Sequence, residues 1–77
     1  MQKWEYCEVD CRFGNAVTLR YYRPNGSLVH GPEKVRNDDA ARERAKQIVA
    51  DLGLQGWELV NVRENGWEYW LKRPLEG

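Results

Sequence analysis

Gly56-Trp57-Glu58-Leu59-Val60-Asn61-Val62-Arg63-Glu64-Asn65-Gly66-Trp67-Glu68-Tyr69-Trp70-Leu71-Lys72-Arg73-Pro74 decides the fold class of this 77-residue chain. The stretch reads as a β-hairpin. Asn-Gly is the favoured pair for a two-residue type I′ turn, because both positions need positive φ. A turn at Asn65-Gly66 sets Glu64 opposite Trp67, Val62 opposite Tyr69, Val60 opposite Leu71 and Glu58 opposite Arg73. The other face then carries Arg63 opposite Glu68, Asn61 opposite Trp70 and Leu59 opposite Lys72, with Trp57 at its end. This register makes two opposite-charge pairs, Glu58 with Arg73 and Arg63 with Glu68, each worth roughly 0.2–1 kcal/mol. Val60, Val62, Tyr69 and Leu71 form one apolar face. Trp57, Leu59 and Trp70 lie on the second, so both faces need cover.

Upstream of the hairpin, Lys3 to Cys11 reads as a strand with Cys7, Val9 and Cys11 facing one way. Val17 to Tyr22 is a second strand, rich in β-branched and aromatic residues. Arg23-Pro24-Asn25-Gly26 fits a turn with Pro at its second position. Ser27 to His30 is a short third strand that Gly31-Pro32 ends. A helix follows, capped by Asn37 or Asp38, with Asp38 and Asp39 at the positive end of its dipole. Ala41, Ala45, Ile48, Val49 and Leu52 make its apolar stripe. Gly53 serves as the C′ glycine, with Leu54 folding back on Val49. The order is β-β-β-α-β-β. The fold class is α+β: a mostly antiparallel sheet of about five strands with one helix on one face.

The length makes residues 1–77 one small domain, and a chain this short buries little of its unfolded surface. With one helix for two apolar-bearing faces, the expectation is a homodimer or larger assembly. Trp57, Leu59 and Trp70 are its candidate interface. Lys and Arg number 12 and so do Asp and Glu, so the formal net charge is zero. That balance argues against a duplex-DNA partner. No apolar run is long enough to span a membrane or form a signal peptide, so a cytoplasmic location is the default. Cys7 and Cys11 stand about 13 Å apart along one strand, too far for a disulfide, and read as small buried residues.

Three segments resemble a family of very small bacterial and phage-encoded domains of unknown function. They are Trp4-Glu5-Tyr6, then Leu52-Gly53-Leu54-Gln55-Gly56-Trp57-Glu58-Leu59-Val60-Asn61-Val62, then Leu71-Lys72-Arg73-Pro74-Leu75. The resemblance covers both ends of the chain, about two-thirds of it. This chain departs from the shortest members by the Asn15 to Asn37 region. The resemblance implies a small α+β sheet and brings no catalytic residues. Look-alikes in phages suggest sequestration of a host signalling molecule as a role.

Catalysis has little support. The single histidine, His30, has no nucleophile placed against it. The carboxylates are matched to cations, no metal-ligand spacing occurs, and there is no Gly-rich phosphate loop, so no cofactor is expected. The functional hint is local. Arg12, Arg20, Arg23, Lys34 and Arg36 face Glu33 alone between positions 12 and 36. Within that region Arg20-Tyr21-Tyr22-Arg23 interleaves aromatic and basic residues, with His30 across from Arg20. Arg20, Tyr22, Arg23 and His30 are therefore the candidate ligand contacts. The leading expectation is a non-catalytic, homo-oligomeric module binding a small anionic ligand such as a nucleotide in a groove between subunits. Single-stranded nucleic-acid binding on the sheet is the second, and a protein-interaction scaffold the third.

Overall fold

The structure is a computed structural model that describes residues 3–12, 15–63 and 66–75. Its elements are β1 (Trp4–Asp10), β2 (Ala16–Arg23), β3 (Gly26–Lys34), α1 (Asp38–Leu54), β4 (Glu58–Arg63) and β5 (Glu68–Pro74). The strands form one antiparallel sheet in the order β3-β2-β1-β5-β4. One helix packs on it, which is the α+β architecture that the hairpin and the helical stripe imply. No helix is long and apolar enough to cross a membrane among the described residues.

Period-two alternation sends Cys7 and Val9 of β1, Val17 of β2, and Tyr69 and Leu71 of β5 to the helix side. There they form a buried core with Ala41, Ala45 and Leu52 of α1, joined by Cys11 and Trp57. Ala41 and Ala45 are fully buried, so the small side chains bring the helix close to the sheet. Asn37 caps the helix, its side-chain oxygen accepting from the Ala40 N–H at 2.8 Å.

The helix ends later than Gly53. Gly53 and Leu54 are both helical, Gln55 is the C-cap and Gly56 takes φ +91°. The Trp57 N–H donates to the Leu52 carbonyl at 3.0 Å and the Gly56 N–H to the Gly53 carbonyl at 3.1 Å. This is the complete Schellman pair with Gly56 at C′. The residues that accompany it in the core are Leu52 and Trp57. Leu54 does not fold back, and its side chain is 88% exposed.

The last hairpin keeps part of its expected register. Arg63 opposes Glu68, Val62 opposes Tyr69 and Asn61 opposes Trp70. Val60 is then an extra residue, so Leu59 opposes Leu71, and Glu58 opposes Lys72 instead of Arg73. The slip follows from a bulge, which inserts one residue in one strand only. Asn65 of the expected Asn65-Gly66 turn, and Glu64 of the expected Glu64–Trp67 pair, lie outside the described residues. Gly66 has φ +94°, and its N–H donates to the Arg63 carbonyl at 3.2 Å.

The third strand is also longer than expected. Gly31-Pro32 does not end β3 but sits inside it as an irregularity opposite Thr18. An edge strand tolerates this, because a proline lacking its N–H there forfeits no second ladder.

Candidate functional site

The sheet's uncovered face is held by an ionic network. Glu8, Asp10 and Glu68 lie on this face, at the centre of the sheet, yet each is buried. Asp10 stands directly opposite Glu68, an unfavourable like-charge pair if left alone. Arg12 resolves it, contacting Asp10 at 3.0 Å and Glu68 at 3.3 Å. Arg20 bridges Asp10 and Glu8 at 3.3 and 3.5 Å, and Arg63 reaches Glu68 at 3.4 Å. The Trp70 indole N–H donates to Glu68 at 2.6 Å, and the Tyr22 hydroxyl donates to Glu8 at 3.1 Å. The Tyr22 and Trp70 rings stack at 5.7 Å between centroids. Burial pushes the Asp10 carboxyl up, but the hydrogen bonds and charge of Arg12, with Arg20, outweigh it and hold the group below its ordinary value. Burial, and the hydrogen bond to Glu8, push the Tyr22 hydroxyl up. No buried side-chain polar atom among the described residues lacks a partner.

On the helix side, Glu5 gathers two arginines. Arg73 donates to one of its oxygens at 2.9 Å and Arg23 to the other at 3.0 Å. The Arg73 guanidinium also lies over the Trp57 ring, 4.6 Å from its centroid.

A cleft of about 320 Å³ opens beside this core, between α1 and the β2–β3 hairpin. Its apolar lining is Val17, Leu19 and Ile48. Tyr21 and His30 form an aromatic wall, edge to face at 5.7 Å. Glu33 and Arg44 also line it, paired by hydrogen bonds of 2.8 and 3.4 Å. Both partners of that pair are substantially exposed, so the pairing is weak and exchangeable.

The structure divides the residues singled out from sequence. Arg20 and Tyr22 lie on the open face, whereas Arg23 and His30 lie on the helix side. His30 is opposite Leu19, and Arg20 is opposite Val29, because the turn pairs Arg23 with Gly26 and that register runs unbroken to Leu19. The four therefore do not converge on one surface. Arg20 and Arg23 are both engaged with carboxylates. Trp57 is not on the open face. The Schellman turn swings it under the helix, where it is 5% exposed and lies against Tyr21 at 5.7 Å between centroids. Leu59 is carried by the bulge to the helix side of the β4 edge and is half-exposed. Trp70 alone of the three keeps the expected open face. Sequence reasoning missed the Glu33–Arg44 pair and Ile48, whose nearness to His30 is purely tertiary. Among the described residues no group of three or more His, Cys, Asp or Glu is placed to hold a metal ion.

Comparison with known proteins finds no family model, no curated protein and no solved structure that matches this chain.

Proposed function

We propose that the protein is a non-catalytic, self-associating binding module that takes up a small planar anionic ligand, such as a nucleotide. The supporting observation is the cleft between α1 and β2–β3. Its apolar floor and the Tyr21–His30 wall suit a flat ring, and Arg44 and His30 supply cationic or donor groups for an anionic substituent. The ligand's anion would take over Arg44 from Glu33, an exchange that an exposed ion pair makes inexpensive. A non-catalytic role is favoured by the thiols. Burial pushes the Cys7 thiol up to about 12 and the Cys11 thiol upward as well, so neither is a thiolate nucleophile near neutral pH. Two buried free cysteines also suit a reducing, cytoplasmic setting.

The open face is a weaker candidate for a single nucleic-acid strand. A strand is tracked by cations left available to phosphates. Here Arg12, Arg20 and Arg63 are set against Glu8, Asp10 and Glu68.

The test is a thermal-shift and calorimetric panel of adenosine and guanosine mono- and triphosphates. Arg44→Ala and His30→Ala should each weaken binding, Arg44→Ala by tenfold or more, about 1.4 kcal/mol. Arg20→Ala, on the other face, should leave affinity unchanged. The reverse pattern would move the site to the open face. A panel in which no nucleotide raises the melting temperature would leave the interaction-scaffold reading in its place.

A further inference from the structure

The two edges of the sheet are unlike. The β3 edge carries Pro32 and Lys34, and proline and lysine are among the devices that keep an edge from pairing with another chain. The β4 edge, Glu-Leu-Val-Asn-Val-Arg, carries neither proline nor lysine; its one such device is the bulge at Val60, and Val62 and Leu59 lie in regular strand on either side of it. Leu59, Val60 and Val62 are each about half-exposed along it.

The backbone of β4 can be followed residue by residue. The Cys11 N–H donates to the Trp67 carbonyl, and the Leu75 N–H to the Lys3 carbonyl. Odd-numbered residues of β5 therefore bond to β1, and Glu68, Trp70 and Lys72 turn their backbone groups to β4. Their partners Arg63, Asn61 and Glu58 spend theirs on β5. Val62 and Leu59, each next to one of these, turn theirs outward.

The bulge has a second consequence. In a regular strand, positions 58 and 63 would face opposite sides, as would 59 and 62. With Val60 as an extra residue, Glu58 opposes Lys72 and Arg63 opposes Glu68, so both lie on the open face. Leu59 opposes Leu71 and Val62 opposes Tyr69, so both lie on the helix side.

The geometry points to β4 as the site where a second copy of this chain adds, antiparallel and two-fold, to make one continuous sheet across both molecules. With the axis between Val60 and Asn61, Glu58 of each copy meets Arg63 of the other on the open face. Leu59 of each meets Val62 of the other on the helix side. The Glu58–Arg63 and Leu59–Val62 pairs each bring together residues on one face, and Leu59 and Val62 both have outward backbone groups. The contact is isologous, so every favourable pair occurs twice. The register one residue either way would set Glu58 against Val62, or Arg63 against Leu59, and lose both charge pairs. This inference rests on the self-associating half of the function proposed above and adds the surface and the register.

The experiment is sedimentation equilibrium with circular dichroism to confirm folding. The native chain should run near twice its 9.1 kDa mass at high micromolar concentration. Glu58→Arg sets arginine against Arg63 at both ends of the pair and should give a monomer. Arg63→Glu sets glutamate against Glu58 and should also give a monomer. An equimolar mixture of the two restores opposite charges at both ends and should recover the dimer as a mixed species. If Arg63→Glu unfolds, because Glu68 loses a partner, Glu58→Arg alone decides. A native chain larger than a monomer that Glu58→Arg leaves intact would overturn this surface while leaving self-association standing. A native chain that stays monomeric would overturn both.

Discussion

Two glycines three residues apart should respond to the same substitution with opposite signs. Gly53 is helical, and a Cβ built on it meets nothing within 4 Å. Gly53→Ala should therefore stabilise by about 0.5–1 kcal/mol, since alanine loses less conformational freedom in a helix. Gly56 has φ +91°, and a Cβ there comes no closer than 3.8 Å, to the flexible Arg73 side chain. Space is not the obstacle; backbone conformation is. Gly56→Ala should cost about 1–2 kcal/mol, the penalty of placing an L side chain in left-handed backbone. In a domain of this size 1 kcal/mol moves the melting temperature by about 4–8 °C. Gly53→Ala should thus melt about 2–8 °C higher than the native chain, and Gly56→Ala about 4–16 °C lower. Far-UV circular dichroism melts of the three proteins, checked for reversibility, measure both. Should Gly53→Ala destabilise while Gly56→Ala is neutral, the C′ residue is Gly53. The Schellman pair that seats Trp57 over Leu52 would then be wrong.

Other outcomes follow from the ionic networks and the thiols. Arg20→Ala and Arg23→Ala should each lower stability by about 1 kcal/mol and not be silent. Arg20→Ala leaves Asp10 and Glu8 each short of one partner and Arg23→Ala leaves Glu5 short of one, although Arg12, Tyr22 and Arg73 still serve them and solvent screens what remains. Thermal melts of the two variants decide this. Asp10 is held below the ordinary 3.8 of a carboxyl, so its contribution is present above that pH and lost as pH falls through its folded value. Melts taken from neutral to strongly acid pH should show a shallower acid loss in Asp10→Asn, and an unchanged slope would refute the assignment. Neither Cys7 nor Cys11 should react with iodoacetamide in the folded protein at mildly alkaline pH, and both should react once it is unfolded. Intact-mass spectra before and after denaturant read this directly.

What the sequence makes legible is local, and what it hides depends on strands distant in the chain. Three pairs of the last hairpin could be read from Asn65-Gly66 and the alternation of residue types. The Val60 bulge could not, because Leu59 and Val60 are both apolar and either can sit on either face. The helix stop was ambiguous for a similar reason. Gly53 and Gly56 both suit a C′ position, and the choice turns on which following residue reaches the core. Trp57 does, whereas Leu54 does not. Gly31-Pro32 looked like a terminator because proline ends central strands, and only the sheet order places β3 at an edge. The interleaved Arg20-Tyr21-Tyr22-Arg23 gave the right alternation of faces. That Glu8 and Asp10 are buried beneath Arg20 required knowing that β1 lies between β2 and β5.

The sheet order also separates the two proposed activities in space. The cleft belongs to β2, β3 and α1 at one end of the sheet, and the pairing edge is β4 at the other. A dimer joined along β4 would therefore carry its clefts at the two far ends, each built from one chain. A groove shared between subunits, which the sequence suggested, would need the edges reversed. The ionic network supports the same arrangement. Glu8, Asp10 and Glu68 are each matched by arginines of the same chain, so that face offers no unpaired carboxylate for a second copy to meet. Binding and self-association should then be energetically independent. Arg44→Ala should weaken nucleotide binding and leave the dimerisation constant unchanged, while Glu58→Arg should abolish the dimer and leave nucleotide affinity within about twofold. Calorimetry on the Glu58→Arg monomer is the decisive measurement. A monomer that no longer binds would mean the ligand site is completed by the second copy, and the cleft between α1 and β2–β3 would not be sufficient for it.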